Sequence, residues 1–197
     1  MTHATNSAPL ERAKVTVEIA EGSDRARALR FIDKRAWEAH QCAARPLDGI
    51  VFAARIGTRV VGTLSVDFGS DERPFPLESI HRFDPALMPM PFDRRRIVQG
   101  GHWMVRVRGQ NVSERLYAAV SEHLALRGIE WFFVEAKPHA YRRLLELRFT
   151  VVYIPGTLCL AHIPKDGMRY YSEDPKPRLY MVSVPSMRRA LAEYWKP

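Results

Sequence analysis

Residues able to do chemistry gather between positions 97 and 154. The run IVQGGHWMVRV, Ile97 to Val107, carries an amide, two adjacent glycines and an imidazole at Gln99, Gly100, Gly101 and His102. A polar turn follows, RGQNVSERL from Arg108 to Leu116, and opens a segment rich in Ala, Leu and Val. Where a strand gives way to a helix, unpaired N–H groups and the helix dipole together favour an anion. Arg108, Gln110, Asn111, Val112 and Ser113 are the candidate binding residues of that turn. Further on, EWFFVE ends in Glu135. A histidine whose ordinary pKa lies near 6.5 suits a base at neutral pH, and a carboxylate serves directly or through water. His102 and Glu135 are therefore the candidate proton acceptors. Each also has a plain reading: a hydrogen-bonded, half-buried His, and an ion pair of Glu135 with Lys137 or a nearby Arg.

The elements that must hold these residues are legible in outline. KVTVEIA, Lys14 to Ala20, alternates as a strand does. Ser23 or Asp24 is the expected cap of a helix reaching about His40. Ile50–Ile56 and Arg59–Val66 flank Gly57-Thr58, a hairpin pattern. Gly69–Asp93 is Pro-rich and irregular, with one turn of helix expected near Leu77–Phe83. Ile97–Val107 is the expected central strand. Asn111 and Glu114 have the spacing of a capping box, Val112, Leu116, Ala119, Val120 and His123 fall near one helical face, and Gly128 ends that helix. Glu130–Glu135 reads as a buried strand, and Pro138-His139 open a helix ending near Leu147. Phe149–Ile154 and Thr157–Ile163 read as strands around Pro155-Gly156. A last strand is expected over Arg178–Val184 and a closing helix over Ser186–Trp195. This order gives one α/β domain over residues 14–197 with a mixed, mostly antiparallel sheet, after a short flexible lead of residues 1–13.

Composition narrows the classes. With 197 residues the chain suits one sizeable core. No apolar run approaches the roughly 18 residues of a membrane helix, and the first residues lack an apolar signal core. The two cysteines, Cys42 and Cys159, suggest neither a metal site nor a disulfide scaffold, which fits a reducing cytoplasm. The net charge of +8 favours an acidic partner: nucleic acid, an anionic membrane surface, an acidic carrier protein or a phosphate-bearing cofactor. An Arg-rich soluble surface explains it equally well. Arg94-Arg95-Arg96 is the one compact basic run. No helix-turn-helix, zinc finger or RNA-binding aromatic motif supports nucleic acid as the partner. HExxH, paired CxxC, carboxylate arrays, phosphate-binding glycine loops, dinucleotide fingerprints and the G-x-S-x-G elbow are all missing, so no metal is expected.

The order of hairpin, strand, anion-binding turn, helix, strand, helix and strand resembles the GNAT acyltransferase superfamily. In that superfamily the turn reads Q/R-x-x-G-x-G/A and grips the pyrophosphate or pantetheine arm of an acyl thioester. Arg108, Asn111 and Ser113 stand at the three positions, with both glycines replaced. Asn tolerates a left-handed backbone better than most residues, and Ser is small. In KPHAYRRLLELRF, Ala140 and Phe149 match the superfamily's closing segment, while Leu144 stands where a Tyr often protonates the departing thiolate. A narrower resemblance lies in FPLE…HRFD…RRRIVQGGHWMV, Phe75 to Val105, which is similar to the acyl-homoserine-lactone (autoinducer) synthases and their relatives, the N-acyl amino acid synthases. Val60–Val66 and Ala28–Trp37 resemble them more loosely. Gln99 and His102 occupy positions where those enzymes usually carry Glu and Arg.

This resemblance implies a single-domain GNAT-like fold whose central strands splay between flanking helices. It implies an N-acyltransferase that moves an acyl group from acyl carrier protein or CoA to a small amine, an amino acid being the family-like acceptor, by direct attack, with no tightly bound cofactor. Such a reaction needs a base for the amine and a donor facing the thioester carbonyl. A backbone N–H at a bulge is one such donor, and Gly100-Gly101 is the expected place. Tyr141, one turn before Leu144, is either a substitute for the missing acid or, the favoured reading, an exposed structural tyrosine. His139 reads as a capping or surface residue. Trp103, Met104 and Trp131 line an acyl tunnel or simply fill core, and Arg94, Arg95 and Arg96 meet a carrier protein or solvent. Because Gln99 cannot act as a base and Leu144 cannot act as an acid, a module that binds a thioester without turnover is the alternative.

Overall fold

The computed structural model describes residues 14–45, 48–107 and 110–194. The expected lead of residues 1–13, and Arg108 of the candidate turn, lie outside the described residues. Among the described residues seven strands form one sheet in the order β1-β2-β3-β5-β6-β9-β7. These are β1 (Val15–Ile19), β2 (Ile50–Ile56), β3 (Arg59–Phe68), β5 (Ile97–Val105), β6 (Trp131–Ala136), β9 (Arg178–Ser183) and β7 (Val151–Ile154). Every pairing is antiparallel except β5 with β6. The sheet is thus mixed and mostly antiparallel, as the element order implied. Gly57, at φ +57°, turns the β2–β3 hairpin in a conformation that favours glycine.

Helices cover both faces. On one, α3 (Val112–Leu126) and α6 (Val184–Tyr194) bury Leu116, Val120, Leu124, Met187 and Leu191 against Val98, Phe132 and Val182. Each such side chain contributes about 1.5–3 kcal/mol by leaving water. Gly62 lets α3 sit close, since a Cβ there would lie 2.7 Å from a Val112 methyl. Across the sheet, α1 (Gly22–His40) packs Ala28 and Ile32 on Val51, Ala53 and Val60. α2 (Pro76–Ile80) closes a third cluster around Phe75, Leu77, Ile97 and Phe133. α4 (Pro138–Glu146) follows β6, with Leu144 buried in the same core as α3.

Several local expectations are corrected. Glu21, with no side-chain cap bond, begins α1, and Asp24 works from the first turn by pairing with Arg55 at 2.9 Å. Asn111 does not cap α3 through its side chain, and the Glu114 carboxylate pairs with Arg143 of α4 in place of closing a capping box. Asn111 does adopt the left-handed conformation, at φ 54° and ψ 33°. The helical turn expected near Leu77–Phe83 ends at Ile80. His81–Phe83 instead form β4, which pairs with β8 (Gly156–Leu158) in a separate two-stranded ladder. The strand expected over Thr157–Ile163 stops at Leu158, because the Cys159 N–H turns to the Ile80 carbonyl at 2.7 Å and a 3-10 turn follows at Leu160–His162. A further short helix, α5 (Met168–Ser172), escaped the sequence reading. Among the described residues no helix is long and apolar enough to cross a membrane.

Candidate active site

The central strands part. β5 and β6 pair only at Ile97↔Trp131, Val98↔Phe132 and Gln99↔Phe133. Beyond Gln99, β5 stays on β3 as far as Gly62↔Val105, and β6 stays on β9 through Ala136↔Arg178. Each strand therefore keeps one satisfied edge and turns the other toward a gap. The Phe132 ring sits against Gly100, where a Cβ would fall 2.0 Å from its tip carbon, and so wedges the mouth of the fork. A cavity of about 650 Å³ opens there, within the size range of small-molecule sites. Gly100 to Val105 line one side and Val134 to Lys137 the other. Tyr117, Leu144 and Leu64 make part of its wall apolar, whereas Arg45, Tyr170 and Tyr171 give it a polar end.

The expected bulge is present on β5 but lies beyond the glycines. The register slips between Thr63↔Met104 and Ser65↔Gly101, so His102 and Trp103 together face Leu64. His102 takes φ +49°, a strained value for a non-glycine residue. Two β3 hydroxyls hold it there: Thr63 Oγ1 donates to the His102 carbonyl at 3.0 Å, and Ser65 Oγ lies 3.0 Å from His102 Nδ1. Burial drives the His102 pKa down to about 4, aided by the nearby Arg45 charge, while a backbone hydrogen bond to Arg45 and the charge of Glu135 oppose the shift. The imidazole is thus neutral at pH 7 and a weak base.

Glu135, the last cavity-facing carboxylate of β6, is held by groups far away in the chain. Tyr171 of α5 donates its hydroxyl to one oxygen at 2.6 Å. His81 of β4 meets the other through Nε2 at 3.0 Å. A carboxylate only accepts, so that nitrogen carries the proton. Arg45 reaches the Tyr171 hydroxyl at 3.4 Å. Burial and the Glu135 charge push the Tyr171 phenol above its ordinary pKa, which keeps it a donor. The carboxylate remains 16% exposed, so it faces the cavity while both oxygens are anchored. Among the described residues, the ion pair expected between Glu135 and Lys137 or an Arg is not formed. Lys137 donates instead to the Glu173 carbonyl at 3.3 Å and lies over the Tyr170 ring.

The remaining candidates divide. Trp103 and Met104 line the cavity, but Trp131 does not and packs with the Phe133 cluster. Gln99 accepts the Leu77 N–H at 2.8 Å, which ties β5 to α2, and Leu144 is core. Tyr141 stacks on Tyr180 with ring centres 4.6 Å apart, a packing role rather than an acid's. His139 is exposed at the cavity rim, as a surface residue should be. Arg94 binds Glu78 at 2.9 and 2.5 Å, whereas Arg95 and Arg96 meet Asp71 and Glu130 in exposed surface pairs. Gln110, Asn111, Val112 and Ser113 stand at the α3 N-terminus but do not line the cavity. Val112 and Ser113 are buried, and the paired Glu114 carboxylate already occupies the first turn. Sequence reasoning missed His81, Tyr171 and Arg45. The nearest signals were HRFD in the synthase-like stretch and the paired tyrosines of MRYYS. Among the described residues no group of His, Cys, Asp and Glu is arranged for a metal ion.

No protein-family model matches the chain, and no curated protein sequence matches it. Solved structures do. The acyl-homoserine-lactone synthase LasI superposes with a TM-score of 0.62 at 10% identity, over 92% of this chain and 96% of that one. FeeM, an N-acyl amino acid synthase from uncultured soil microbes, gives a TM-score of 0.62 at 17% identity, over 93% and 99%. BjaI, a CoA-dependent acyl-homoserine-lactone synthase solved with SAM and isopentyl-CoA, gives 0.58 at 20% identity, over 86% and 78%. At these identities the likeness is one of fold, and it spans nearly the whole described chain. The chain therefore has the fold of these acyl-homoserine-lactone and N-acyl amino acid synthase structures.

Proposed function

We propose that the protein is an N-acyltransferase that moves an acyl group from a thioester of CoA or acyl carrier protein to the amine of a small molecule, an amino acid being the family-like acceptor. The observation that carries the reading is the fork between β5 and β6, with a cavity at its mouth and an anchored carboxylate on its wall. The facing edges of the two strands have no ladder partners beyond Gln99 and Phe133, and a pantetheine arm with its two amides suits such a gap. The main chain of Gln110 to Ser113, with Arg108, holds the phosphate end, and left-handed Asn111 bends the backbone at that turn.

In the reaction the neutral amine nitrogen attacks the thioester carbonyl carbon. The new C–N bond makes the attacking nitrogen acidic, and Glu135 takes its proton. The C–S bond then breaks and the thiolate leaves, protonated by solvent. His102 lines the same cavity as a neutral imidazole and orients the nucleophile. His81 and Tyr171 are positioning residues, since they fix the carboxylate. A main-chain N–H in the His102–Trp103 bulge faces the developing oxyanion. No covalent enzyme intermediate is needed.

A direct test incubates the protein with acyl-CoA or acyl carrier protein of several chain lengths and a mixture of amines, and follows free thiol. Thiol release that depends on an amine is the expected result, and its absence across all chain lengths overturns the proposal. A second reading, a module that binds acyl thioesters without turnover, is favoured by one observation: Gln99 is committed to α2 and Leu144 to the core. Tight binding without thiol release selects it.

A further inference from the structure

Among the described residues two arginines line the cavity, Arg35 and Arg45. Arg35 is spent, since Glu38 pairs with it at 2.5 Å. Arg45 is half-buried and meets no carboxylate among the described residues. Its guanidinium gives one N–H to the Tyr171 hydroxyl, at a long 3.4 Å. A guanidinium carries five donors in a planar fork, so most of that capacity is unused. Its charge is nonetheless felt within the cavity. After burial it is the next cause of the lowered His102 pKa, and it opposes the rise that burial and the Glu135 charge impose on the Tyr170 and Tyr171 phenols. Lys137, also on the wall, is already held by the Glu173 carbonyl and the Tyr170 ring. The Tyr171 hydroxyl donates to Glu135 at 2.6 Å and accepts from Arg45, so a single hydroxyl separates the carboxylate from the guanidinium.

We propose that Arg45 sets acceptor specificity: its guanidinium binds the carboxylate of an α-amino acid whose amine is received by Glu135. This rests on the acyl-transfer reading above. An α-amino acid carries its amine and its carboxylate on one carbon. The row Glu135, Tyr171, Arg45 offers a proton acceptor, a hydroxyl and a donor fork in matching order. Were Arg45 only a counter-charge for Glu135, direct pairing would serve better than a long bond through a hydroxyl. A carboxylate arriving at a half-buried guanidinium gains a charge-assisted, two-pronged pair without displacing another anion. Tyr170, whose phenol is kept protonated by burial and the Glu135 charge, lines the same end as a further donor.

The test uses the full chain, octanoyl-CoA or octanoyl carrier protein as donor, and a panel of amino acids, each matched with its own amide. The amide keeps the amine and the side chain and removes the negative charge. Thiol release gives kcat and KM for each pair, and comparing variant with wild type cancels the different basicities of the two amines. Arg45→Gln should raise KM for the acid about 10- to 100-fold with a smaller change in kcat, so the acid-to-amide ratio of kcat/KM falls by about that factor, the loss of a charge-assisted pair. Arg45→Lys keeps the charge without the fork, so its ratio should fall less, between the wild type and the Gln variant. If Arg45→Gln lowers turnover of acid and amide alike, Arg45 acts only through Tyr171 on Glu135, and the assignment is wrong while acyl transfer stands. A ratio unchanged in both variants removes the assignment in the same way. If no amine of either kind releases thiol, both readings fall.

Discussion

Gly100→Ala tests the physical basis of the fork. An added Cβ would lie 2.0, 2.3 and 2.7 Å from three carbons of the Phe132 ring. Carbon atoms pack at about 3.5–4.0 Å, so the ring must retreat by roughly 1.5 Å. Phe132 is 1% exposed and packed in the α3-side core, and the open space beside it is the cavity it lines. Overpacking of this kind costs about 1–3 kcal/mol. For a domain of this size that is a fall in Tm of roughly 2–12 °C. Urea denaturation followed by circular dichroism should show the midpoint lowered at unchanged m. Phe132→Leu alone should cost about 1–2 kcal/mol, but it removes the ring atoms that clash, so the double variant should recover at least about 1 kcal/mol of the summed losses. The displaced ring should also narrow the cavity, and Gly100→Ala should lose thiol release even at temperatures where it stays folded. If the two substitutions add within about 0.5 kcal/mol, the Phe132 ring does not wedge against Gly100, and the explanation of the fork fails.

Other consequences are equally open to measurement. Glu135→Gln keeps the shape and removes the charge, so amine-dependent thiol release should fall by about 10²- to 10⁴-fold with ligand binding retained; unchanged turnover would exclude the carboxylate as base. Tyr171→Phe should lower turnover by less and shift its pH profile, because one anchor of the Glu135 charge is gone while His81 remains. For His102, the folded pKa of about 4 lies below the ordinary 6.5, so the unfolded chain binds the extra proton between those values. Stability should be fully present above about pH 6.5 and fall by up to about 3 kcal/mol toward pH 4, and His102→Gln should flatten that slope in denaturation series across this range. Asn111 stands at φ 54°, so Asn111→Val should destabilise by about 1–2 kcal/mol while Asn111→Gly stays near neutral; equal effects would refute the strain argument.

Much of the frame was readable because its causes are local. Alternation over Val15–Ile19 and the Gly57 turn set the first hairpins, and the apolar spacing of Val112, Leu116 and Val120 set α3. The tolerance of Asn for a left-handed backbone was visible in its side chain alone, and the structure has it there. The bulge was placed at Gly100-Gly101 because glycine is the usual sign of one. It formed at His102-Trp103 because the hydroxyls of Thr63 and Ser65, on the neighbouring strand, hold a histidine in that conformation. Gly100 is small for a different reason, the Phe132 ring against it.

By itself the sequence determined the order and type of most elements, the polar turn ahead of α3, and several residues that reach the cavity, His102 and Glu135 among them. Only the tertiary structure decided what those residues meet. His81 lies 54 positions and Tyr171 36 positions from the carboxylate they anchor, and each Arg of the Arg94–Arg96 run meets a carboxylate remote in the chain. Such contacts depend on register and packing, where a slip of one residue turns a side chain to the opposite face of the sheet, and no local pattern encodes them. The fork arises the same way: each strand is held on its outer edge by a partner remote in the chain, and an aromatic ring occupies the place a Cβ would have taken.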